Sequence, residues 1–375
     1  MLAFHSHFER IEDPRLSRRR LHSLRDILFL SVCATIAGAD GPSDIEAFGK
    51  EKLDWLRRFI PLPNGIPSHD TIGRVFSLIQ PTPFQEAFLG WIQTFFPESA
   101  KQAPADLIPI DGKTLRGSRQ LDQNPLHLVS AWSAKNRITL GQVAVDEKSN
   151  EITAIPRLLE VLELRGAIVS IDAMGCQKAI AQQIVLGEGD YVLALKDNQP
   201  TLAAAVEEYF QEREEEDFSG KPGRSHQTNE PSRGRKERRD YTIVPVPESM
   251  ASFQKEWAGL NSLGRVVAQT ERDGKLLFET RYYISSLPVK VKLFAESVRS
   301  HWRIENSLHW ILDMTFQEDA SRIHKGNAAE NSGFLRKFVI SLLNQDTSKN
   351  SMRCKRKRAV WSTLFLEKLL FSNGF

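Results

Sequence analysis

The sequence predicts an α/β protein: an all-α N-terminal domain, then a sheet-forming core divided by a β-rich insertion. Three observations predict it. Apolar residues in roughly the first hundred positions recur at helical spacing, whereas from Leu107 they fall in short runs bounded by Gly turns. Two of those runs end on an acid beside small residues, at Ile110-Asp111-Gly112 and at Ile171-Asp172-Ala173. A Gly-, Pro- and Arg-rich stretch then interrupts the pattern before a last amphipathic segment carrying Glu305.

Composition sets the limits. A chain of 375 residues has room for roughly two domains, and 41% hydrophobic with 26% charged residues is ordinary for a globular fold. The net charge is only +3, yet Lys and Arg are dense at Arg18 to Arg20, Arg233 to Arg239 and Arg353 to Arg358. Each cluster alone reads as a solvated face; three together suit a polyanionic partner. Cys33, Cys176 and Cys354 have neither paired spacing nor a nearby histidine set for zinc. The longest apolar run, Ile27 to Ala39, is shorter than the roughly 20 residues a membrane helix needs. A cytoplasmic, soluble protein is expected.

In the N-terminal region (1–97), Ser23 with Asp26 and Ser43 with Glu46 resemble capping boxes that start two helices. A third begins near Asp70, with Ile72, Val75, Phe76 and Ile79 on one face, and a fourth is signalled by Thr82, Pro83 and Gln85. These short helices read equally as a helix-turn-helix DNA reader or as a supporting bundle. Pro97 to Asp106 reads as a linker. The first part of the core (105–199) then reads as strands at Leu107 to Ile110, Leu126 to Trp132 and Ile138 to Val145, forming an antiparallel meander. A helix at Ile155 to Leu164, a strand ending at Asp172, a helix near Gln177 to Leu186 and a strand at Tyr191 to Leu195 follow. The order β-β-β-α-β-α-β is that of the ribonuclease-H-like fold, in which the first and fourth strands can be neighbours, bringing Asp111 beside Asp172. Taken alone, Asp172 reads more readily as a cap of the next helix. The insertion (200–288) contains β-like segments at Tyr241 to Val246, Leu263 to Thr270 and Thr280 to Ser285, read as strands of its own.

The final part of the core (289–345) holds Lys292 to Phe316, and a basic tail (346–375) follows. Counted from Glu305, Val298, Trp302, Leu308 and Leu312 share its helical face, so the carboxylate is expected inside an apolar stripe. A buried carboxylate there needs a cation, a metal ion or a proton, or a simple salt bridge to a neighbour such as His301, His309 or Arg303.

Asp111, Asp172 and Glu305 together would form a set of hard oxygen ligands suited to Mg²⁺ or Mn²⁺. Two such ions about 4 Å apart promote in-line displacement at phosphorus, and basic clusters would hold a phosphate backbone. A metal-dependent nuclease or strand transferase is expected.

At these residues the chain resembles the DDE transposases of the ISAs-type, or H-repeat-associated, family of bacterial insertion sequences. The motifs are I-D-G-K-T-L-R-G-S from Ile110, H-L-V-S-A-W from His127, K-S-N-E-I from Lys148, S-I-D-A-M-G-C-Q from Ser170, Y-V-L-A-L-K-D-N-Q-P from Tyr191 and H-W-R-I-E-N-S-L-H-W from His301. The resemblance spans nearly the whole chain and implies a ribonuclease-H-like core with the triad Asp111, Asp172 and Glu305. It further implies hydrolysis at element ends, attack of the exposed 3′-hydroxyl on target DNA, and a homo-oligomer assembled on terminal repeats at the nucleoid. Lys113, Arg116, Lys196 and Arg303 lie beside the triad motifs as candidate phosphate contacts. S-R-G-R-K-E-R-R from Ser232 resembles a family pattern opening H-G-R, with Arg233 where His stands. Two other expectations compete: a catalytically silent DNA-binding descendant, and a structure-selective nuclease or RNA–DNA hybrid hydrolase.

Overall fold

The structure, a computed structural model, describes residues 2–95, 106–119, 124–146, 149–215, 223–232, 235–272 and 275–371. Most of the expected linker, Lys148 and Arg233 lie outside the described residues. The N-terminal helices are α1 (Leu2–Phe8), α2 (Leu24–Ile36), α3 (Pro42–Glu51), α4 (Leu53–Leu56), α5 (His69–Leu78) and α6 (Pro81–Gln93). Ser23 flanks α2 as expected but makes no side-chain cap bond. At α3 the expected box is displaced: the Asp44 carboxylate accepts the N–H groups of Asp40 (3.0 Å) and Gly41 (3.2 Å). Glu46 instead accepts the His69 N–H at 2.7 Å, tying α3 to the start of α5.

The core begins with β1 (Leu107–Thr114), β2 (His127–Ser133) and β3 (Ile138–Ala144), followed by α7 (Glu151–Leu159), β4 (Ile168–Ile171), α8 (Lys178–Leu186) and β5 (Asp190–Leu195). β1 pairs antiparallel with β2 and parallel with β4, where Ile110 lies opposite Ile171. The expected neighbourhood of the first and fourth strands is therefore present. β4 and β5, covered on both faces, read as continuous apolar runs for that reason.

The insertion is larger than its sequence pattern. The residues after β5 form α9 (Pro200–Glu215), and the Gly-, Pro- and Arg-rich stretch contributes β6 (Arg224–Ser232) and the start of β7 (Arg235–Pro245). After α10 (Ala251–Glu256) come β8 (Ser262–Arg272) and β9 (Lys275–Ser285). These strands do not form a separate sheet. β9 pairs with β5 from Val192↔Ser285 to Leu195↔Tyr282, giving one nine-stranded sheet of order β3-β2-β1-β4-β5-β9-β8-β7-β6. The far end of β9 exposes Leu276, Leu277 and Phe278, so it lacks the one-sided alternation that marks a half-buried strand.

Beyond the insertion lie α11 (Val291–Ile304), a π turn (Glu305–His309), α12 (Trp310–Met314), α13 (Ala328–Asn344), α14 (Met352–Trp361) and α15 (Thr363–Phe371). α13 is apolar around most of its circumference because it lies between β3 and helices α2, α5 and α6. Phe29, Phe88 and Trp91 from the N-terminal region share one core with Phe338, Leu342 and Leu366. Phe88 and Phe338 meet edge to face at 4.5 Å, an arrangement worth about 0.5–1.5 kcal/mol beyond its buried area. The expected basic tail is thus two packed helices, and part of its charge is turned inward. The Lys355 ammonium donates to Leu343 O at 3.1 Å, and the Arg356 guanidinium lies 3.2 Å from Asp40 and 4.1 Å over the Phe316 ring. Glu367 of α15 accepts Trp55 Nε1–H at 2.8 Å.

Candidate active site

β1 and β4 run parallel, so the acids after Ile110 and Ile171 emerge at the same end of the sheet, where α/β folds place their ligands. α11 crosses that face and touches both strands. His301 holds it to β4: its Nδ1 lies 3.4 Å from Ser170 Oγ and 3.3 Å from Ser170 O.

Glu305 departs from expectation. Its side chain is 62% exposed, and Trp302 is 38% exposed, stacked on the Arg281 guanidinium at 4.0 Å. The buried stripe instead runs through Phe294, Val298, Ile304, Leu308 and Leu312. The cause is the π turn, in which the Trp310 N–H bonds to the Glu305 carbonyl five residues back. The wider turn changes the angular register, burying Ile304 and leaving Glu305 at the rim. No full desolvation cost falls on this carboxylate.

The same turn brings His309 into the site. Its buried Nδ1 stands 3.5 Å from Asp111 Oδ2 and 3.7 Å from Glu305 Oε2. Ligand atoms of Asp111, Glu305 and His309 all lie within 4.8 Å of one another. Burial raises the Asp111 carboxyl above its ordinary range; His309, His301 and the Gly112 N–H, 2.9 Å away, oppose the rise, and Glu305 adds to it. The His309 imidazole, 3.7 Å away, lowers the Glu305 carboxyl, outweighing the opposing effect of burial. His309 Nε2 is buried without a hydrogen-bond partner among the described residues, while Nδ1 faces the two carboxylates. Two carboxylate oxygens and one imidazole nitrogen at this spacing could hold a divalent cation: the carboxylates suit Mg²⁺ or Mn²⁺, whereas the imidazole favours Mn²⁺ and softer ions over Mg²⁺. His309 was visible in the sequence only as the residue four beyond Glu305; the signal for it was that i, i+4 spacing.

Asp172 stands outside that three-residue group. It is half-buried, and Oδ1 accepts the Gly175 N–H at 3.3 Å, so it organises the turn after β4. It does not cap the next helix, whose N-cap is Gln177. That turn is braced from the loop after β5: Asn198 Nδ2 donates to the Ala173 carbonyl, and Gln199 Nε2 donates to Cys176 O at 3.0 Å. The D-N-Q segment thus supports the D-A-M-G-C segment, a role that residue types alone did not disclose.

On the opposite face of β1, His127 Nε2 lies 2.7 Å from Glu151 Oε1, and His127 Nδ1 lies 2.8 Å from Thr114 Oγ1. Gly112 leaves the room this pair occupies; a Cβ there would collide with both Glu151 and His127. Among the basic residues expected to meet phosphate, Arg116 is 81% exposed, and Lys196 and Arg303 are also exposed. Lys113 is not free to do so: 10% exposed, it lies 2.8 Å from Asp313, 3.2 Å from Asp319 and 4.0 Å from Glu318.

Residues 102–342 match the family described as Transposase DDE domain, and residues 5–92 match DDE_Tnp_1-associated. The chain is 43% identical over 368 residues to "Putative transposase YncI" of Escherichia coli O157:H7, covering 96% of this chain and 93% of that protein. It is 40% identical over 377 residues to "H repeat-associated putative transposase YhhI" of Escherichia coli strain K12, covering 98% and 97%. A shorter relative, "Inactive transposase YbfQ" of the same strain, is 48% identical over 71 residues, 19% of this chain and 84% of that protein. With a family match over most of its length and relatives aligned nearly end to end, the chain belongs to the DDE transposases of the H-repeat-associated group.

Proposed function

We propose that the chain is an active insertion-sequence transposase that hydrolyses phosphodiesters at element ends and transfers the resulting 3′-hydroxyl into target DNA. The observation that carries this reading is the convergence of Asp111, Glu305 and His309 just past the β1–β4 pairing, with Asp172 directly after the end of the adjacent parallel strand. The order β3-β2-β1-β4-β5 supports a ribonuclease-H-like core interrupted by a β-rich insertion, with the N-terminal helices as an associated domain.

Asp111, Glu305 and His309, joined by Asp172, would hold Mg²⁺ or Mn²⁺, with two ions proposed. Bound there, such ions would supply Lewis acidity toward phosphoryl oxygens and stabilise attacking and leaving oxygens. The chain's own contribution is positioning: β1 and β4 fix two acids on a rigid sheet, and His309 orients Glu305 toward Asp111. Exposed Arg116, Lys196 and Arg303 would contact DNA phosphates in a salt-dependent manner.

The test is Mg²⁺- or Mn²⁺-dependent nicking and joining of duplex DNA carrying the element ends, assayed beside an RNA–DNA hybrid. Duplex nicking that disappears in Asp172→Ala supports the reading. Preferential cleavage of the hybrid would assign a nuclease instead, and DNA binding without cleavage under either metal would leave a binding protein.

A further inference from the structure

Asp111 and Lys113 are two residues apart on β1 and therefore leave the same face of the strand. Their partners, His309 and Asp313, are four residues apart, bridging the π turn and α12. Two residues of strand advance about 6.6 Å, and four residues of helix advance about 6 Å. Strand and helix thus run alongside each other with matched steps and two rungs of opposite polarity. In the first rung the strand supplies the acid and the helix the imidazole; in the second the strand supplies the ammonium and the helix the acid. A slip of one helical turn would set Lys113 beside His309 and separate it from Asp313.

The second rung is reinforced. Asp319 lies 3.2 Å from the Lys113 ammonium and Glu318 4.0 Å from it. Glu318 is fully buried, neither carboxylate oxygen has a hydrogen-bond partner among the described residues, and besides Lys113 the cations that favour its charge are Arg336, at 3.7 Å, and Lys337. Removing the ammonium would leave three carboxylates crowded at one place in a partly desolvated environment.

We infer that Lys113 is a positioning residue: held by Asp313 and Asp319, it sets the register of the Glu305–Met314 segment against β1 and so keeps Glu305 and His309 within reach of Asp111. The inference rests on the proposed function only for the importance of that centre; the register lock itself is independent of metal.

The test uses the full chain without DNA. Amide hydrogen exchange is followed across residues 305–314, and Mn²⁺ affinity is measured by calorimetric titration, for wild type, Lys113→Met and Lys113→Arg. Lys113→Met is expected to exchange about tenfold faster across 305–314 and to bind Mn²⁺ about 10–100-fold more weakly, the range for groups that orient metal ligands. Exchange in Leu24–Ile36 should be unchanged, and Lys113→Arg should restore most of the protection. Wild-type exchange and affinity in Lys113→Met would overturn the inference. Should that variant unfold, Asp313→Asn takes its place with the same expected shifts, and its indifference would overturn the inference equally. A wild-type chain that binds no Mn²⁺ would overturn the metal-centre reading, while the exchange comparison would still decide the lock.

Discussion

Ile110 of β1 and Ile171 of β4 are register partners in a parallel pair, and each is followed by an acid. The strand pairing, not the helices, therefore sets Asp111 and Asp172 at one end of the sheet. Asp111→Asn and Asp172→Asn should each lower metal-dependent nicking by about a thousandfold or more, which is about 4 kcal/mol of activation free energy. Circular dichroism should remain that of wild type. Retention of more than a tenth of the activity by either variant would remove that acid from the chemistry.

His309 has two carboxylates as neighbours and, among the described residues, no hydrogen bond at Nε2. His309→Gln should weaken Mn²⁺ binding by about 10–100-fold. An unchanged dissociation constant would mean that the imidazole only fills space.

Gly112 leaves room for the His127–Glu151 pair on the far side of β1 from Asp111. Gly112→Ala should cost about 1–3 kcal/mol in denaturant unfolding, the usual range for overpacking a tight interior. A cost below about 0.5 kcal/mol would mean that the pair can move aside without consequence.

Lys337 is buried, donating to Ser130 Oγ at 2.7 Å and Gln142 Oε1 at 2.8 Å. Burial pushes its ammonium from 10.5 down to about 8, despite Glu318 and Glu330, which favour the charge; Lys113 opposes it. Between pH 8 and 10.5 the unfolded chain retains a proton that the folded chain has released, so this group makes stability rise with pH. Glu330 acts oppositely at lower pH: burial pushes it from 4.5 up to about 7, and stability falls as pH rises through that window. The unfolding free energy of wild type relative to Lys337→Met should therefore increase from about pH 8 to about pH 10. A flat difference would contradict the assignment.

Arg303 is exposed close to Glu305. Arg303→Ala should weaken binding to any duplex and reduce the slope of log affinity against log salt by about one. An unchanged slope would place the guanidinium off the DNA path.

Much of the core was legible because its strands are short apolar runs stopped by Asp and Gly, a pattern that survives without tertiary information. The pairing of β1 with β4 followed from element order. The burial of Ile304 in place of Glu305 did not, because a π turn inserts a register change that a 3.6-residue period cannot represent. The partners of Lys113 were hidden for another reason: Asp313 and Asp319 are about two hundred positions away in sequence, and only the fold returns them to β1. The strand β9 was partly illegible because its outer half, Lys275 to Thr280, is wet on both faces, leaving no apolar alternation to read.

The pairing of β9 with β5 has a consequence for solubility. Without the inserted strands, β5 would present Val192 to Leu195 as an open row of backbone donors and acceptors on a largely apolar strand, a template for association with another chain. The insertion thus acts as a built-in guard against aggregation. Shortening its outer hairpins leaves that cover in place, whereas loss of β9 would uncover the β5 edge.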